Sequence, residues 1–205
     1  MQIHKIYPRG FGANTYVLTI DGKTAVVIDP SGAHVESRLI ALGLKAEYVL
    51  LTHCHFDHVL GVAALQQGGA KVLCSEKEKG LVGTHADLFD EFGAPRKPYY
   101  INDTFVDGEE KTLCGITFKA IYTPGHTAGS VCYLVENDGD RYLFSGDTLF
   151  ENSIGRTDFP TGDLGKIRES LRRLTALGDL PIYAGHGEDT NMEKERKNNP
   201  FLRDL

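Results

Sequence analysis

The chain has 205 residues, 41% of them hydrophobic and 24% charged, and a formal net charge of −6. That length allows one large or two closely merged domains with a sizeable core, and the acidic balance argues against a nucleic-acid partner. Nowhere do the roughly 18 apolar residues of a membrane span run together, and the N-terminus lacks a secretory leader, so a cytoplasmic protein with no membrane partner is expected.

From Ile3 to Asp29 the pattern is of short strands, Tyr16 to Ile20 and Thr24 to Ile28, joined by a tight hairpin at Asp21-Gly22. Val35 to Leu42 has helical spacing, Tyr48 to Leu51 reads as a buried strand, Val59 to Gln67 as a helix apart from Gly61, and Lys71 to Cys74 as another strand. Glu76 to Tyr100 breaks this rhythm with Gly80, Gly83, Gly93, Pro95 and Pro98 and two short helical stretches, and is expected to be an insertion near a site mouth. Strands resume at Thr117 to Tyr122, Ser130 to Val135 and Arg141 to Ser145, the last two joined by a hairpin at Asn137-Asp138-Gly139-Asp140. Leu164 to Leu177 places Leu164, Ile167, Leu171, Leu174 and Leu177 on one helical face, and Pro181 to Ala184 is the last buried strand. Two mixed, β-rich halves that each carry helices point to sheets packed on each other with helices outside.

Chemistry concentrates in Thr52-His53-Cys54-His55-Phe56-Asp57-His58. Imidazole and carboxylate are ligands that zinc, iron and manganese accept, and His53 and His55, two apart on an extended segment, point to the same side. Asp57 and His58 then fall in the following turn, so the motif caps a strand-to-helix junction. Three further segments share this character: Thr123-Pro124-Gly125-His126-Thr127, Phe144-Ser145-Gly146-Asp147-Thr148 and Ala184-Gly185-His186-Gly187. Each ends an expected strand and sets one His or Asp beside a glycine, which permits close backbone approach. His53, His55, Asp57, His58, His126, Asp147 and His186 make seven ligands, enough for two divalent metals. His4, His34 and His85 lack such a setting. Cys54, Cys74, Cys114 and Cys132 form no C-x-x-C pair and are expected as free thiols, with Cys54 open to oxidation or a soft metal because it lies between two ligands.

The ordered H-x-H-x-D-H, His, Asp, His pattern resembles the metallo-β-lactamase superfamily of hydrolases over nearly the full length. The resemblance implies an α/β (α+β) fold, an αββα four-layer sandwich of two mixed sheets in a single domain over residues 1–205. Gly146 to Phe150, Ser153 to Pro160, Gly185 to Thr190 and Asn199 to Leu202 resemble the glyoxalase II-like branch, the hydroxyacylglutathione hydrolases, in its short bacterial form. Carried over by position, His53, His55 and His126 hold a first metal, Asp57, His58 and His186 a second, and Asp147 bridges them. The implied nucleophile is a hydroxide between two metals, zinc foremost with iron or manganese as alternatives, while Asp57 orients it.

The implied substrate is a small-molecule thioester, S-lactoylglutathione or a related hydroxyacyl thioester, whose thiolate leaves readily because thiol pKa values lie near about 8.5. Arg156 is the foremost candidate for binding an anionic substrate, ahead of Arg96, Lys97, Lys194 and Arg196. The sequence ends 19 residues after His186, without the helical domain that helps two-domain glyoxalase II enzymes bind glutathione. The rival readings are a mononuclear-iron persulfide dioxygenase, which shares the H-x-H-x-D-H motif, and a lactone or other ester hydrolase of the same fold. The ending Ala184-Gly185-His186-Gly187 favours the hydrolase.

Overall fold

Period-two alternation in the strands sorts the core into three apolar layers in the computed structural model, which describes residues 1–10, 12–203 and 205. The first sheet runs β1 (Gln2–Ile6), β2 (Thr15–Thr19), β3 (Thr24–Ile28), β4 (Lys45–Leu50), β5 (Lys71–Ser75) and β6 (Asp103–Phe105), paired in that order. Its first three strands are antiparallel neighbours and its last four parallel ones. Between them lie α1 (His34–Leu42), α2 (Phe56–Val59), α3 (Val62–Gln67) and α4 (Glu76–Lys79).

The second half supplies β7 (Glu110–Leu113), β8 (Ile116–Tyr122), β9 (Val131–Asn137), β10 (Asp140–Gly146), the small hairpin β11 (Leu149–Phe150) and β12 (Ser153–Ile154), α5 (Leu164–Thr175), β13 (Pro181–Ala184), β14 (Thr190–Asn191) and α6 (Met192–Asn198). Among the described residues its main sheet has the order β14, β13, β10, β9, β8, β7.

Val26, Ile28, Leu50 and Leu73 on the first sheet face Phe118, Tyr133, Val135 and Phe144 on the second. The alternate residues Val27, Val49 and Leu51 pack outward on Val35, Leu39 and Val62 of the first helical layer. On the far side Ile121, Cys132, Leu143 and Ile182 pack on Leu171 and Leu174 of α5. The result is the expected αββα sandwich, helix layer to helix layer. No helix of the described residues is long and apolar enough to cross a membrane.

Several local expectations need correction. The expected helix Val59 to Gln67 is broken, because the Gly61 N–H leaves the helical ladder to bond the Pro30 carbonyl at 2.8 Å. A Cβ at Gly61 would lie 2.7 Å from the Gly32 carbonyl oxygen, so this close approach requires glycine. The turn between β2 and β3 is wider than a tight hairpin, and the Asp21 carboxylate organises it by accepting from the Lys23 and Thr24 amides. Leu164 is half exposed and only Ile167, Leu171 and Leu174 of the α5 stripe are buried. β1, β6, β7, β14 and α6 add to the expected elements: β1, β7 and β14 carry the polar residues typical of sheet margins, which weaken the alternation signal.

Candidate metal centre

Strand direction brings the donors together. β8 and β10 are both antiparallel to β9, and β13 is parallel to β10, so all three end at one edge of the second sheet. His126, Asp147 and His186 follow those ends within four residues or fewer. In the first sheet, parallel β3 and β4 deliver Asp29 and His53 to the matching edge. Backbone hydrogen bonds stitch the edges together, from the Val131 amide to the Thr52 carbonyl at 2.9 Å and from the Asn14 amide to the Gly185 carbonyl at 2.7 Å. Asp57 and His58 sit in the short α2, which starts directly after His55.

All seven expected donors converge, in three overlapping groups that could hold a metal: His53, His55 and His126; His53, His58 and Asp147; Asp57, His58 and His186. Within each group the donor atoms lie within 4.8 Å of one another. His55 Nδ1 stands 2.9 Å from His126 Nε2. Asp147 touches both ends of the cluster, with Oδ1 at 3.2 Å from His58 Nε2 and Oδ2 at 3.5 Å from both His126 Nε2 and His186 Nε2. Asp57 Oδ2 is 3.2 Å from His186 Nε2. His4, His34 and His85 belong to none of these groups.

The donor set fits divalent cations on an observation internal to the structure. His53 Nε2 and Asp147 Oδ1 are buried, point into the cluster and have no hydrogen-bond partner, the 3.2 Å approach of His58 lacking hydrogen-bond alignment. Such orphaned atoms are costly unless a cation takes their lone pairs. Burial lowers the pKa of His53, and it takes His55 down to about 3, so both rings are neutral and able to ligate. Burial opposes charge on His58 too, yet Asp147 and Asp57 raise its pKa well above the ordinary value. The carboxylates thus demand positive charge at this spot.

Residues absent from the sequence reading hold the donors in place. Asp29 accepts from the Thr52 amide at 2.8 Å, the Thr52 hydroxyl at 2.6 Å and His58 Nδ1 at 3.0 Å, which turns His58 Nε2 toward the cluster. His126 donates Nδ1–H to the Arg156 carbonyl at 2.8 Å, leaving Nε2 free to ligate. Glu78, buried on α4, accepts from the Cys54 amide and the Thr127 hydroxyl, both at 2.8 Å, and so ties the His53–His55 loop to the His126 loop. Asp29 ends an apolar strand just as the ligand motifs do, a signal available in the sequence; nothing local marks Glu78. Cys54 does not meet the expectation of reactivity: it is fully buried, belongs to none of the donor groups, and burial with the Glu78 carboxylate pushes its thiol pKa up.

Five of the seven donors, His55, Asp57, His126, Asp147 and His186, line a cavity of about 560 Å³ whose walls include Phe56, Leu88, Phe92, Phe150, Phe159 and Arg156. Leu88 and Phe92 come from the 76–100 segment, and α4 of that segment props the metal loops from behind. Arg156 lines the cavity with its guanidinium bonded to both carboxylate oxygens of Asp158 at 2.7 Å and centred 3.7 Å above the Phe159 ring.

Residues 8–186 match the family model described as the metallo-beta-lactamase superfamily, and the chain belongs to that superfamily. Among its relatives, the hydroxyacylglutathione hydrolase GloC of Haemophilus influenzae is 36% identical over 210 residues, covering 98% of each chain. Among solved structures, BLEG-1 B3 metallo-beta-lactamase superposes with a TM-score of 0.88 at 31% identity, covering 98% of this chain and 99% of that one. TTHA1623 in a di-iron-bound form superposes with a TM-score of 0.82 at 30% identity over 98% of this chain and 100% of that one.

Proposed function

We propose that the chain is a binuclear metal-dependent hydrolase of thioesters, of the hydroxyacylglutathione hydrolase type. The observation that carries the reading is Asp147, whose carboxylate approaches His126 of one donor trio and both His58 and His186 of the other. A carboxylate shared between two donor groups is what a two-metal site requires, whereas a structural zinc site closes with four ligands. His53, His55 and His126 would hold one ion and Asp57, His58 and His186 the other, with Asp147 available to both. Zinc suits this set, and iron or manganese also suits it; TTHA1623, at 30% identity, has been crystallised with two irons.

When bound, two such ions lower the pKa of a shared water to about 7 and polarise a carbonyl held against them. The chain's own residues do the rest. Asp29 and the Arg156 carbonyl fix the His58 and His126 rings so that no reorientation is needed as substrate enters. Asp57, partly exposed to the cavity, would orient the nucleophile as well as bind metal. No side chain need protonate the leaving group, because a thiolate departs unaided near neutral pH.

The reading is tested by hydrolysis of S-D-lactoylglutathione and a simple lactone by protein of measured metal content, beside Asp57→Asn and an oxygen electrode trace with glutathione persulfide. Near two metals per chain, thioester loss that falls at least about 100-fold in the variant, and no oxygen uptake are expected. One iron per chain with oxygen consumption would establish the persulfide dioxygenase instead, and lactone turnover alone would move the substrate to that class.

A further inference from the structure

The walls above the metal donors have a chemistry of their own. Phe92 stacks on Phe56 with ring centroids 5.0 Å apart at 25°, and meets Phe159 edge to face at 6.0 Å. Phe159 in turn meets the ring of His55 at 5.7 Å, so the aromatic wall starts at a metal donor and runs to the mouth. Phe150 meets His186 at 6.0 Å on the opposite side, with Ile154 beside it. Phe92 is 53% exposed although it belongs to this wall, a large apolar surface left open where a ligand would cover it.

Charge in the cavity argues the same way. Arg156 is the only Lys or Arg among the described residues lining it, and both of its bonded nitrogens are already on Asp158. Glu91 lies close enough to act on Arg156 as well. An anionic arm reaching away from the metals would meet one cation, already paired with Asp158 through Nε and Nη2, while an apolar group would find aromatic faces.

We infer that the acyl group of the substrate is apolar, an aryl-bearing or medium alkyl chain seated on Phe56, Phe92 and Phe159. This rests on the metal-dependent thioester hydrolase reading above and departs from its hydroxyacyl type in the acyl group. The reaction stays balanced as hydrolysis: the water oxygen bonds the acyl carbon, the C–S bond breaks with its electron pair on sulfur, and the two protons of water end on the thiol and in solution. The products are an apolar carboxylate and a free thiol. Phe92 acts as a specificity-determining residue, since removing its ring opens the wall without reaching the metal donors.

The experiment uses the metal-loaded full chain and thioesters of one neutral thiol, N-acetylcysteamine, carrying acetyl, D-lactoyl, butanoyl, hexanoyl and phenylacetyl groups, with thiol release as the readout. A pocket gains about 10–200-fold in kcat/KM from apolar groups it fits, so phenylacetyl or hexanoyl should exceed acetyl at least about tenfold. In Phe92→Ala that ratio should shrink by about fivefold or more, and Phe92→Leu, which keeps an apolar surface, should retain most of it. Thermal melts of both variants separate loss of fold from loss of preference. A flat acyl profile, a preference for lactoyl, or an unchanged ratio in a folded Phe92→Ala overturns the inference and leaves the hydrolase standing. No hydrolysis of any member by fully metallated protein overturns both.

Discussion

Glu78 offers the sharpest test of how the metal loops are held. It is fully buried, and its carboxylate is the only partner of the Cys54 amide among the described residues, while also taking the Thr127 hydroxyl. Glu78→Ala removes two hydrogen bonds to a carboxylate, each worth about 1.5–3 kcal/mol when the acceptor is charged, and orphans a buried N–H. Because burial raises the Glu78 pKa and weakens its charge, the lower part of that range applies, for a total of about 3 kcal/mol. At about 2–4 °C per kcal/mol for a chain of this size, the melting temperature should fall by about 6–12 °C. Metal affinity should fall about 10–100-fold, since the loops carrying His53, His55 and His126 lose their common anchor. Glu78→Gln keeps one acceptor for the Cys54 amide, and the Thr127 hydroxyl can turn to accept from the new amide by donating to Ser130, 2.7 Å away, so about two thirds of the loss should be recovered. The assay is paired denaturation of metal-loaded and metal-stripped protein with a competitive metal titration. A drop below about 3 °C in Glu78→Ala, with metal affinity unchanged, would refute the reasoning.

Other outcomes follow from the same contacts. Chelation should abolish hydrolysis while leaving the circular dichroism of the sandwich intact, because three apolar layers and not the metals hold the fold; unfolding on chelation would contradict this. Gly185→Ala would push a methyl group into Asp147 Oδ1 and the His58 ring, so elemental analysis should find the Asp57, His58, His186 group empty or depleted in a protein that still folds. Asp29→Asn leaves His58 Nδ1 without its carboxylate and should weaken metal binding about 10–100-fold, read by the same titration. For pH, burial works against the Asp107 charge, but Arg173 and the Tyr122 amide hold its pKa below the ordinary value. The sign follows: this stabilisation is present above about pH 4 and is lost as pH falls through the lowered folded value. Asp107→Asn should therefore be destabilised at pH 7 by well under about 1 kcal/mol, the pair being half exposed, and match the parent at pH 2 in urea titrations.

The metal ligands are legible because their chemistry is confined to few side-chain types and their spacing is local. His53, His55, Asp57 and His58 announce themselves within six residues, and His126, Asp147 and His186 each follow a strand with a glycine beside them. The interior strands are legible for a related reason, since Val26, Ile28 and Leu50 must alternate with Val27, Val49 and Leu51 to serve two apolar faces. The sheet margins are not, because edge strands such as β7 pack on one side only and lose the alternation.

By itself, then, the sequence determines the chemistry of the donors and the layer order of the fold, both set by residue type and short-range period. Only the tertiary structure decides what surrounds them. Asp29 meets Thr52 across 23 residues and Glu78 meets Thr127 across 49, contacts that exist only once parallel strand ends are brought to one edge. The same holds for the cavity: Phe56, Phe92 and Phe159 are unremarkable phenylalanines along the chain, and become one aromatic wall only where the segment between β5 and β6 meets α2, which carries Phe56, and the loop that carries Phe159. Arg156 shows the converse, a lone basic residue on paper that the folded chain pairs with Asp158. Ligand identity is a property of side chains, whereas substrate choice is a property of the space between them.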